Sequence, residues 1–289
     1  MLIAIPSRGR PDWKKQVTLR NFIDMKCKRL VTLCIPGPHS SWEGKRYRNN
    51  VISVLENRGV NVNIEYVPPE YDGISKTREW ILTQLSIKTG ENEVLMLDDD
   101  MDFCYRPNMA DPALETIKDL ELFERMFSLF EQWFREGFIH MGLAARQGSN
   151  NFLGPETYRD VARMMNAYAY DTVALADLGV KMGRIPVMED FDLTLQLLRK
   201  GYPNRVSYQY VWNQRGSGAE GGCSSYRTAE MQTEAARKLQ ELHPAYVTLV
   251  TKTAGTVWKD MEERSDVTVQ WQKAYEEGKN ARNQREQCA

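Results

Sequence analysis

The chain has 289 residues, of which 42% are hydrophobic and 27% charged, and its net charge is −1. This composition is typical of a globular protein with a substantial core and excludes wholesale disorder. The apolar runs are too short to span a bilayer, and Pro6-Ser7-Arg8 interrupts the apolar start, so we expect neither a membrane segment nor a signal peptide. Five cysteines without paired spacing favour a reducing, cytoplasmic setting.

Charge is distributed unevenly along the chain. Residues 1–60 hold twelve Lys and Arg against four Asp and Glu, a balance of +8 that leaves −9 for residues 61–289. A basic segment of this kind fits a polyanion such as nucleic acid, and it fits a solvated surface equally well. The sequence leaves both interpretations open.

The first hundred residues alternate predicted strands with predicted helices. Short apolar runs bounded by Gly, Pro or charged residues predict buried strands over 2–6, 29–35, 60–67 and 93–97. Helical spacing and stop signals predict helices between them, over 12–25, 45–58 and 73–88. This alternation is typical of a parallel α/β sheet.

The rest of the chain predicts a mixed arrangement without repeated βαβ units. Aromatic residues at helical spacing, among them Phe123, Phe127 and Phe130, predict a helix over 119–137 whose stripe belongs to the core. Further strands are predicted over 138–145, 165–175, 205–212 and 246–250, and further helices over 191–201 and 228–242.

Asp98, Asp99 and Asp100 directly follow the predicted strand over 93–97. Three carboxylates at a strand end repel one another unless a cation is bound. Mg²⁺ and Mn²⁺ commonly bridge one or two carboxylates to substrate phosphates, and the carboxyl ends of strands are where open α/β sheets bind ligands. We interpret the triplet as a metal and phosphate site, with a solvated acidic turn as the alternative.

Two basic stretches accompany this triplet. The turn Ser7-Arg8-Gly9-Arg10-Pro11 after the first strand is rich in donors suited to a nucleotide or phosphate. Lys76 and Arg78 lie in the first turn of the helix over 73–88, where the helix dipole favours anions. Two cations at this end of the helix are favourable if a phosphate or a carboxylate binds next to them.

A second acidic motif, Glu189, Asp190 and Asp192, lies at the amino end of the helix over 191–201. Capping and the helix dipole account for one acid, and three exceed that need, so a general base and a cap are both open interpretations. His243, after the helix over 228–242, is either a ligand for a metal or diphosphate or a structural residue.

The opening Ile5-Pro6-Ser7-Arg8, the helix start at 73–78, the Asp triplet and Glu189-Asp190-Phe191-Asp192-Leu193 together resemble the GT-A class of nucleotide-sugar glycosyltransferases. The resemblance covers roughly residues 2–202. It implies an α/β fold with a GT-A (Rossmann-like) mixed, mainly parallel sheet flanked by helices and a C-terminal helical or irregular extension. It also implies one catalytic domain over 1–255, with a donor-nucleotide half at 1–105 and an acceptor half at 106–255, followed by a polar tail or helix over 256–289.

The resemblance implies roles for individual residues. Asp98 and Asp100 match the two acids of the Asp-x-Asp motif, with Asp100 the main ligand of Mn²⁺ or Mg²⁺, Asp98 contacting the ribose or the metal, and His243 a further candidate ligand. Asp190, with Glu189 beside it, matches the acid that deprotonates the acceptor hydroxyl in inverting members. The implied donor-binding residues are Pro6, Ser7, Arg8, Lys76, Arg78, Asp98, Asp99 and Asp100. The Gln-x-x-Arg-Trp motif of the commonest members has no match here, so a processive polysaccharide synthase is not expected.

More narrowly, the chain resembles the phage TET-associated glycosyltransferases, which place sugars on 5-hydroxymethylcytosine in DNA. This implies a UDP-sugar donor, DNA with hydroxymethylated pyrimidine as acceptor, and a location in the host-cell cytoplasm if the protein is phage-encoded. It implies no membrane and no obligate protein partner. From their place between the two acidic motifs, we expect acceptor contacts from Arg146, Asn150, Tyr168 and Tyr170.

Other functions remain open from the sequence. A glycosyltransferase of this class can act on a glycan or a protein instead of DNA. Clustered Asp residues also build two-metal nucleotidyltransferase sites, and a non-catalytic module could bind a sugar nucleotide or DNA.

Overall fold

The computed structural model describes residues 1–149, 152, 154–214, 227–253 and 263–288. Its centre is a 10-stranded sheet with the strand order β3-β2-β1-β4-β9-β7-β10-β5-β6, in which β8 also pairs with β10. A separate two-stranded sheet is formed by β11 and β12. The strands are β1 Leu2–Pro6, β2 Val31–Pro36, β3 Val62–Val67, β4 Glu93–Leu97, β5 Met101–Tyr105, β6 Glu115–Thr116, β7 His140–Ala145, β8 Tyr158–Asp160, β9 Ala167–Asp171, β10 Arg205–Gln214, β11 Val247–Thr253 and β12 Glu263–Val269.

Helices cover both faces of the large sheet. The π-helical stretch Arg48–Ile52 joins α2 to α3, and Ile81–Leu85 joins α4 to α5, so each pair forms one continuous helix where the sequence predicted one. The helices are α1 Val17–Asp24, α2 Trp42–Tyr47, α3 Ser53–Asn57, α4 Ile74–Trp80, α5 Ser86–Thr89, α6 Leu120–Arg135, α7 Arg146–Ser149, α8 Thr172–Asp177, α9 Glu189–Leu198, α10 Ala229–Leu242 and α11 Trp271–Cys288.

The amino-terminal part of the sheet is parallel. β1 pairs with β2 and β4, and β2 pairs with β3, all in parallel register. β1, β2 and β4 are buried almost throughout, because helices cover both faces, which explains why they appear in the sequence as continuous apolar runs.

The second part of the sheet mixes directions. β9 lies between β4 and β7 and is antiparallel to both, whereas β10 is parallel to β7 and antiparallel to β5. Within the described residues, seven of the ten strands in this sheet, β1 to β4, β6, β7 and β10, run in the same direction. The prediction of an α/β fold with a mixed, mainly parallel sheet flanked by helices is confirmed.

The strands divide their side chains between two core layers. On β4, Leu95 and Leu97 pack into the layer that contains α1 and α6, and Val94 and Met96 pack into the layer that contains α4 and α9. In the aromatic stripe of α6, Phe123, Phe127 and Phe130 are fully buried in the first layer, as predicted. The alternation of side chains along β4 is what a strand covered by helices on both faces produces.

One prediction about an element needs correction. The predicted strand over 165–175 ends at Asp171, because its carboxylate accepts hydrogen bonds from the backbone N–H groups of Val173 (3.0 Å) and Ala174 (3.1 Å) and so begins α8. The predicted boundary after residue 255 lies between β11 and β12, which pair with each other, and the division into domains stays a prediction. Four strands, β5, β6, β8 and β12, were not predicted from the sequence.

Within the part of the chain that the structure describes, every helix is too short or too polar to cross a membrane.

Candidate active site

A cleft of about 670 Å³ opens where several strands of the large sheet end. β1, β4, β7 and β10 all bring their carboxyl ends to this edge, and the turn between β4 and β5 lies among them. The lining includes Pro6, Ser7, Arg8, Arg78, Asp98, Asp99, Asp100, Arg146, Glu189 and Asp190, all of which the sequence predicted as site residues. Ligands in open α/β sheets bind at this edge because the loops that follow the strands converge there.

The turn that holds the Asp triplet is fixed by the backbone around it. The N–H of Asp98 donates to the carbonyl of Asn166 at 3.1 Å. The hydroxyl of Thr18 donates to the Asp98 carbonyl and accepts from the N–H of Met101 at 3.0 Å. The side chains differ in accessibility, with exposed fractions of 22% for Asp98, 5% for Asp99 and 13% for Asp100. Asp98 and Asp100 therefore face ligands better than Asp99 does.

Asp99 organises the turn that follows β1. Its carboxylate accepts from the hydroxyl of Ser7 and from the guanidinium of Arg10. Arg10 also pairs with Asp100 at 2.8 Å. Burial raises the pKa of Asp99 to about 7; Arg10 opposes this shift and the neighbouring Asp100 adds to it. Since only 5% of its side chain is exposed and it holds Ser7 and Arg10, Asp99 supports these two residues rather than facing a bound ligand.

Arg78 connects the two acidic motifs. Its buried guanidinium donates to Asp98 and to Glu189, and it lies over the ring of Tyr168 at 5.1 Å from the centroid. Arg78 lies in the last turn of α4, not in its first turn as the sequence predicted, and the anions that it meets are carboxylates of this chain.

Glu189 and Asp190 begin α9 after Met188, which has a left-handed backbone conformation with φ of 65°. Burial raises the pKa of Glu189 to about 7, with Arg78 opposing and Asp190 adding to the shift. Burial also raises the pKa of Asp190, and both Arg78 and Arg163 oppose this. Asp190 is 8% exposed and Glu189 2%. Asp190 therefore reaches the cleft more openly, while Glu189 is held by Arg78.

A comparison with protein-family models gave one decisive finding. A model described as TET-associated glycosyltransferase matches residues 1–222. The chain belongs to the TET-associated glycosyltransferase family. This confirms the family and the glycosyltransferase class that the motifs predicted.

Other comparisons add less. A search of curated protein sequences found no match to the chain. Among solved structures, S. aureus TarS 1–349 is similar at 14% identity with a TM-score of 0.46, covering 84% of this chain and 65% of TarS. A197 from STIV is similar at 10% identity with a TM-score of 0.40, covering 74% of this chain and 85% of A197. The chain thus spans less than two thirds of the TarS structure.

Three residues that the sequence analysis placed in the site lie outside the cleft lining. Tyr168 and Tyr170 are fully buried, because they occupy one face of β9 in the middle of the sheet, and so they do not form a surface for an acceptor. The amine of Lys76 pairs with Glu79 at 2.6 Å outside the cleft lining. Asn150, which was also expected to contact the acceptor, lies outside the described residues.

The structure also separates His243 from the predicted metal ligands. His243 is fully buried behind α9 and does not line the cleft. Arg199 donates to its Nδ1 at 3.1 Å, and since an arginine can only donate, the other ring nitrogen, Nε2, donates to Asp192 at 2.8 Å. Both ring nitrogens are used by protein partners, so this histidine joins α10 to α9 and is not placed to bind a metal with Asp98 and Asp100.

The sequence analysis did not identify several residues that line the site. Gln214, at the end of β10, donates to Asp100 and accepts from the side chain of Asn166 at 2.6 Å. Arg10 was part of the donor-rich turn but was not singled out, and Arg163 carried no motif at all. Gln214 lies more than a hundred positions from Asp100, so no local pattern identified it.

Asp98 and Asp100 are the two carboxylates that a divalent cation shared with substrate phosphates would use, and the Asp100 oxygens accept from Arg10 and Gln214 in this structure. Mg²⁺ and Mn²⁺ are commonly held by one or two carboxylates while phosphates and water complete the coordination. In the described parts of the chain, no group of three or more His, Cys, Asp or Glu side chains is arranged to hold a metal by itself. A cation bound at Asp98 and Asp100 would take its remaining ligands from substrate phosphates and water.

Proposed function

We propose that the protein transfers a sugar from a UDP-sugar to 5-hydroxymethylcytosine in DNA, with a divalent cation and with inversion at the anomeric carbon. The observation that carries the proposal is the double contact of Arg78, which brings the Asp triplet and Asp190 to one cleft at the carboxyl edge of the sheet. Family membership supports sugar transfer and the choice of DNA as acceptor.

The donor half of the proposed reaction uses the turn after β1 and the Asp triplet. Ser7, Arg8 and Arg10 line the cleft beside Asp98 and Asp100. Bound at these two carboxylates, a divalent cation would neutralise charge on the leaving diphosphate. Arg78 holds Asp98 in place through a hydrogen bond, and Arg10 and Gln214 hold Asp100. The protein's own contribution is to fix both carboxylates before the donor arrives.

The acceptor half of the proposed reaction relies on Asp190. Its carboxylate takes the proton of the acceptor hydroxyl while that oxygen forms a bond to the anomeric carbon and the bond from this carbon to the diphosphate oxygen breaks. Only one oxygen of Asp190 has a protein hydrogen bond in the described structure, from the N–H of Phe191 at 2.9 Å. Attack from the side opposite the diphosphate inverts the configuration.

The test is transfer by the full chain with Mn²⁺, individual UDP-sugars and a duplex that contains 5-hydroxymethylcytosine. We expect the mass of the modified strand to increase by one sugar residue and UDP to be released. The matched control is the same duplex with cytosine, which has no hydroxymethyl group and should stay unchanged. The proposal is wrong if no UDP-sugar gives product on this DNA while a glycan or protein acceptor is modified, or if pyrophosphate is released in place of UDP.

A further inference from the structure

The C-terminal unit, defined here as residues 227–253 and 263–288, forms one wall of the cleft. It comprises α10, the β11–β12 hairpin and α11, and it lies beyond the residues that match the family model. It nevertheless contributes Arg227, Gln232, Lys252, Arg264 and Asp266 to the cleft lining. The sequence predicted only a polar tail or helix for its last part, so this contribution was unexpected.

Buried contacts hold the C-terminal unit firmly on α9. His243 at the end of α10 donates to Asp192 in the first turn of α9, two residues after Asp190. At the other end of α9, Gly278 of α11 packs so closely that an added Cβ would clash with the carbonyl oxygen of Leu198. The wall is thus tied to the same helix that carries the proposed general base.

The C-terminal unit reverses the formal charge of the cleft. The charged lining residues of the described chain up to 214 comprise five cations, Arg8, Arg10, Arg78, Arg146 and Arg163. They also comprise six acids, Asp72, Asp98, Asp99, Asp100, Glu189 and Asp190, so their balance is −1. Arg227, Lys252 and Arg264 against Asp266 add +2, which brings the described lining to +1. The C-terminal unit therefore adds positive charge to the cleft, which favours diphosphates and phosphodiesters.

The arrangement of the hairpin cations points to an anion. Lys252 on β11 and Arg264 on β12 are direct cross-strand partners, and like charges in such positions destabilise a hairpin. Asp266 offsets part of this repulsion, pairing with Lys252 at 2.7 Å and with Arg264 at 3.7 Å. Two cations around one carboxylate give these three side chains a net positive charge at the cleft. The side chain of Lys252 is 54% exposed, so a ligand can reach it.

We propose that Lys252 and Arg264, together with Arg227 from the same cleft lining, bind phosphate groups of the substrates. This inference rests on the proposed function, since it assumes that the cleft takes a nucleotide sugar and DNA. The shared chemistry is the phosphate anion, which the donor presents as a diphosphate and the acceptor as a phosphodiester backbone. Held on α9, the C-terminal unit presents these cations in the same cleft as Asp190.

The test compares Lys252→Gln and Arg264→Gln with the control Lys238→Gln. Lys238 is an exposed lysine of α10 that pairs with Glu241 and does not line the cleft, so its loss removes the same charge from the same unit. Binding of UDP with Mn²⁺ is measured by calorimetry. Binding of a duplex containing 5-hydroxymethylcytosine is measured by fluorescence anisotropy over a series of salt concentrations.

We expect each cleft variant to weaken binding about fivefold, with Lys238→Gln unchanged. For DNA, the slope of log K against log salt should fall by about 0.9 for each lost phosphate contact. If only UDP binding weakens, the cations of the C-terminal unit bind the donor diphosphate. If only DNA binding weakens, they bind the acceptor backbone. Unchanged binding of both probes overturns the inference.

Two further comparisons keep this inference separate from the proposed function. Lys252 is largely exposed, so Lys252→Gln folds even if Arg264→Gln does not, and thermal unfolding checks this. If sugar is never transferred to the modified duplex but UDP binding still weakens in Lys252→Gln, the proposed acceptor is wrong. Phosphate binding by the C-terminal unit then stands. If sugar is transferred and both variants bind UDP and DNA like the control, phosphate binding by the C-terminal unit is wrong and the proposed function stands.

Discussion

Arg78 on α4 and Glu189 on α9 form a buried salt bridge, with only 6% and 3% of the two side chains exposed. The same guanidinium pairs with Asp98 at the end of β4. A planar guanidinium can hold two carboxylates at once through separate nitrogens, which an ammonium group cannot do with the same geometry. This one side chain therefore sets the distance between the donor half and the acceptor half of the proposed site.

Replacing Arg78 by lysine should weaken both stability and activity. The shorter reach of a single ammonium group would leave one buried carboxylate without its partner, so we expect the free energy of unfolding to fall by about 2–3 kcal/mol and catalytic efficiency by about a hundredfold. Urea denaturation and steady-state kinetics measure these two effects. The control is Arg125→Lys in the exposed pair with Glu121, which should change neither. An unchanged catalytic efficiency in Arg78→Lys would contradict the bridging role.

Replacing Asp190 by asparagine should separate chemistry from binding. The amide cannot accept the proton of the acceptor, so we expect kcat to fall by about 10²–10⁴-fold while the dissociation constant for UDP stays within about twofold. Single-turnover kinetics and calorimetry provide the measurements. Asp177→Asn, at an exposed position of α8, is the matched control. Equal turnover in Asp190→Asn and wild type would remove Asp190 as the base and favour a retaining mechanism.

His243→Ala should lower stability without changing the response to metal. It removes buried hydrogen bonds to Asp192 and Arg199 and leaves a cavity, so we expect a loss of about 3 kcal/mol in the free energy of unfolding. The Mn²⁺ concentration that gives half-maximal activity should stay within about twofold of wild type. A tenfold increase in that concentration would instead support the role as metal ligand that the sequence suggested.

His140 should make the fold sensitive to mild acid. Burial lowers the pKa of His140 to about 4, although its hydrogen bond to the Tyr202 carbonyl acts in the opposite direction. The unfolded chain, with an ordinary histidine pKa of about 6.5, therefore binds a proton that the folded chain refuses as the pH falls below about 6.5. Between pH 8 and pH 5 this group alone should cost about 2 kcal/mol of stability.

The measurement is urea denaturation at pH 8 and pH 5 for wild type and His140→Gln. Glutamine keeps a donor for the Tyr202 carbonyl but does not titrate, so the variant should lose less stability on acidification than wild type. Both proteins share the same carboxylates, whose titration cancels in the comparison. His39→Gln, at an exposed histidine, should lose as much stability as wild type. Equal losses in all three proteins would show that His140 is not the group responsible.

Local patterns predicted most of the elements but few of the long-range contacts. β1 and β4 were predicted with their observed bounds because both are short apolar runs bounded by polar residues or the chain start. β5 was missed because its residues follow the acidic turn directly and pair mainly with β10, more than a hundred positions later. Tyr168 and Tyr170 were predicted to contact the acceptor because the sequence does not show that β9 lies between β4 and β7.

The sequence by itself determined the α/β class, the family and the two acidic motifs, because these depend on residue types and on spacing along the chain. Only the tertiary structure decided what each charge faces. Arg78 meets Asp98 and Glu189, Arg10 meets Asp99, and His243 meets Asp192 because strand order and helix packing bring distant segments together. The C-terminal unit shows this most clearly. Its charged residues, among them Lys252 and Arg264, line the cleft because contacts with α9 hold the unit there, and no local sequence pattern indicates those contacts.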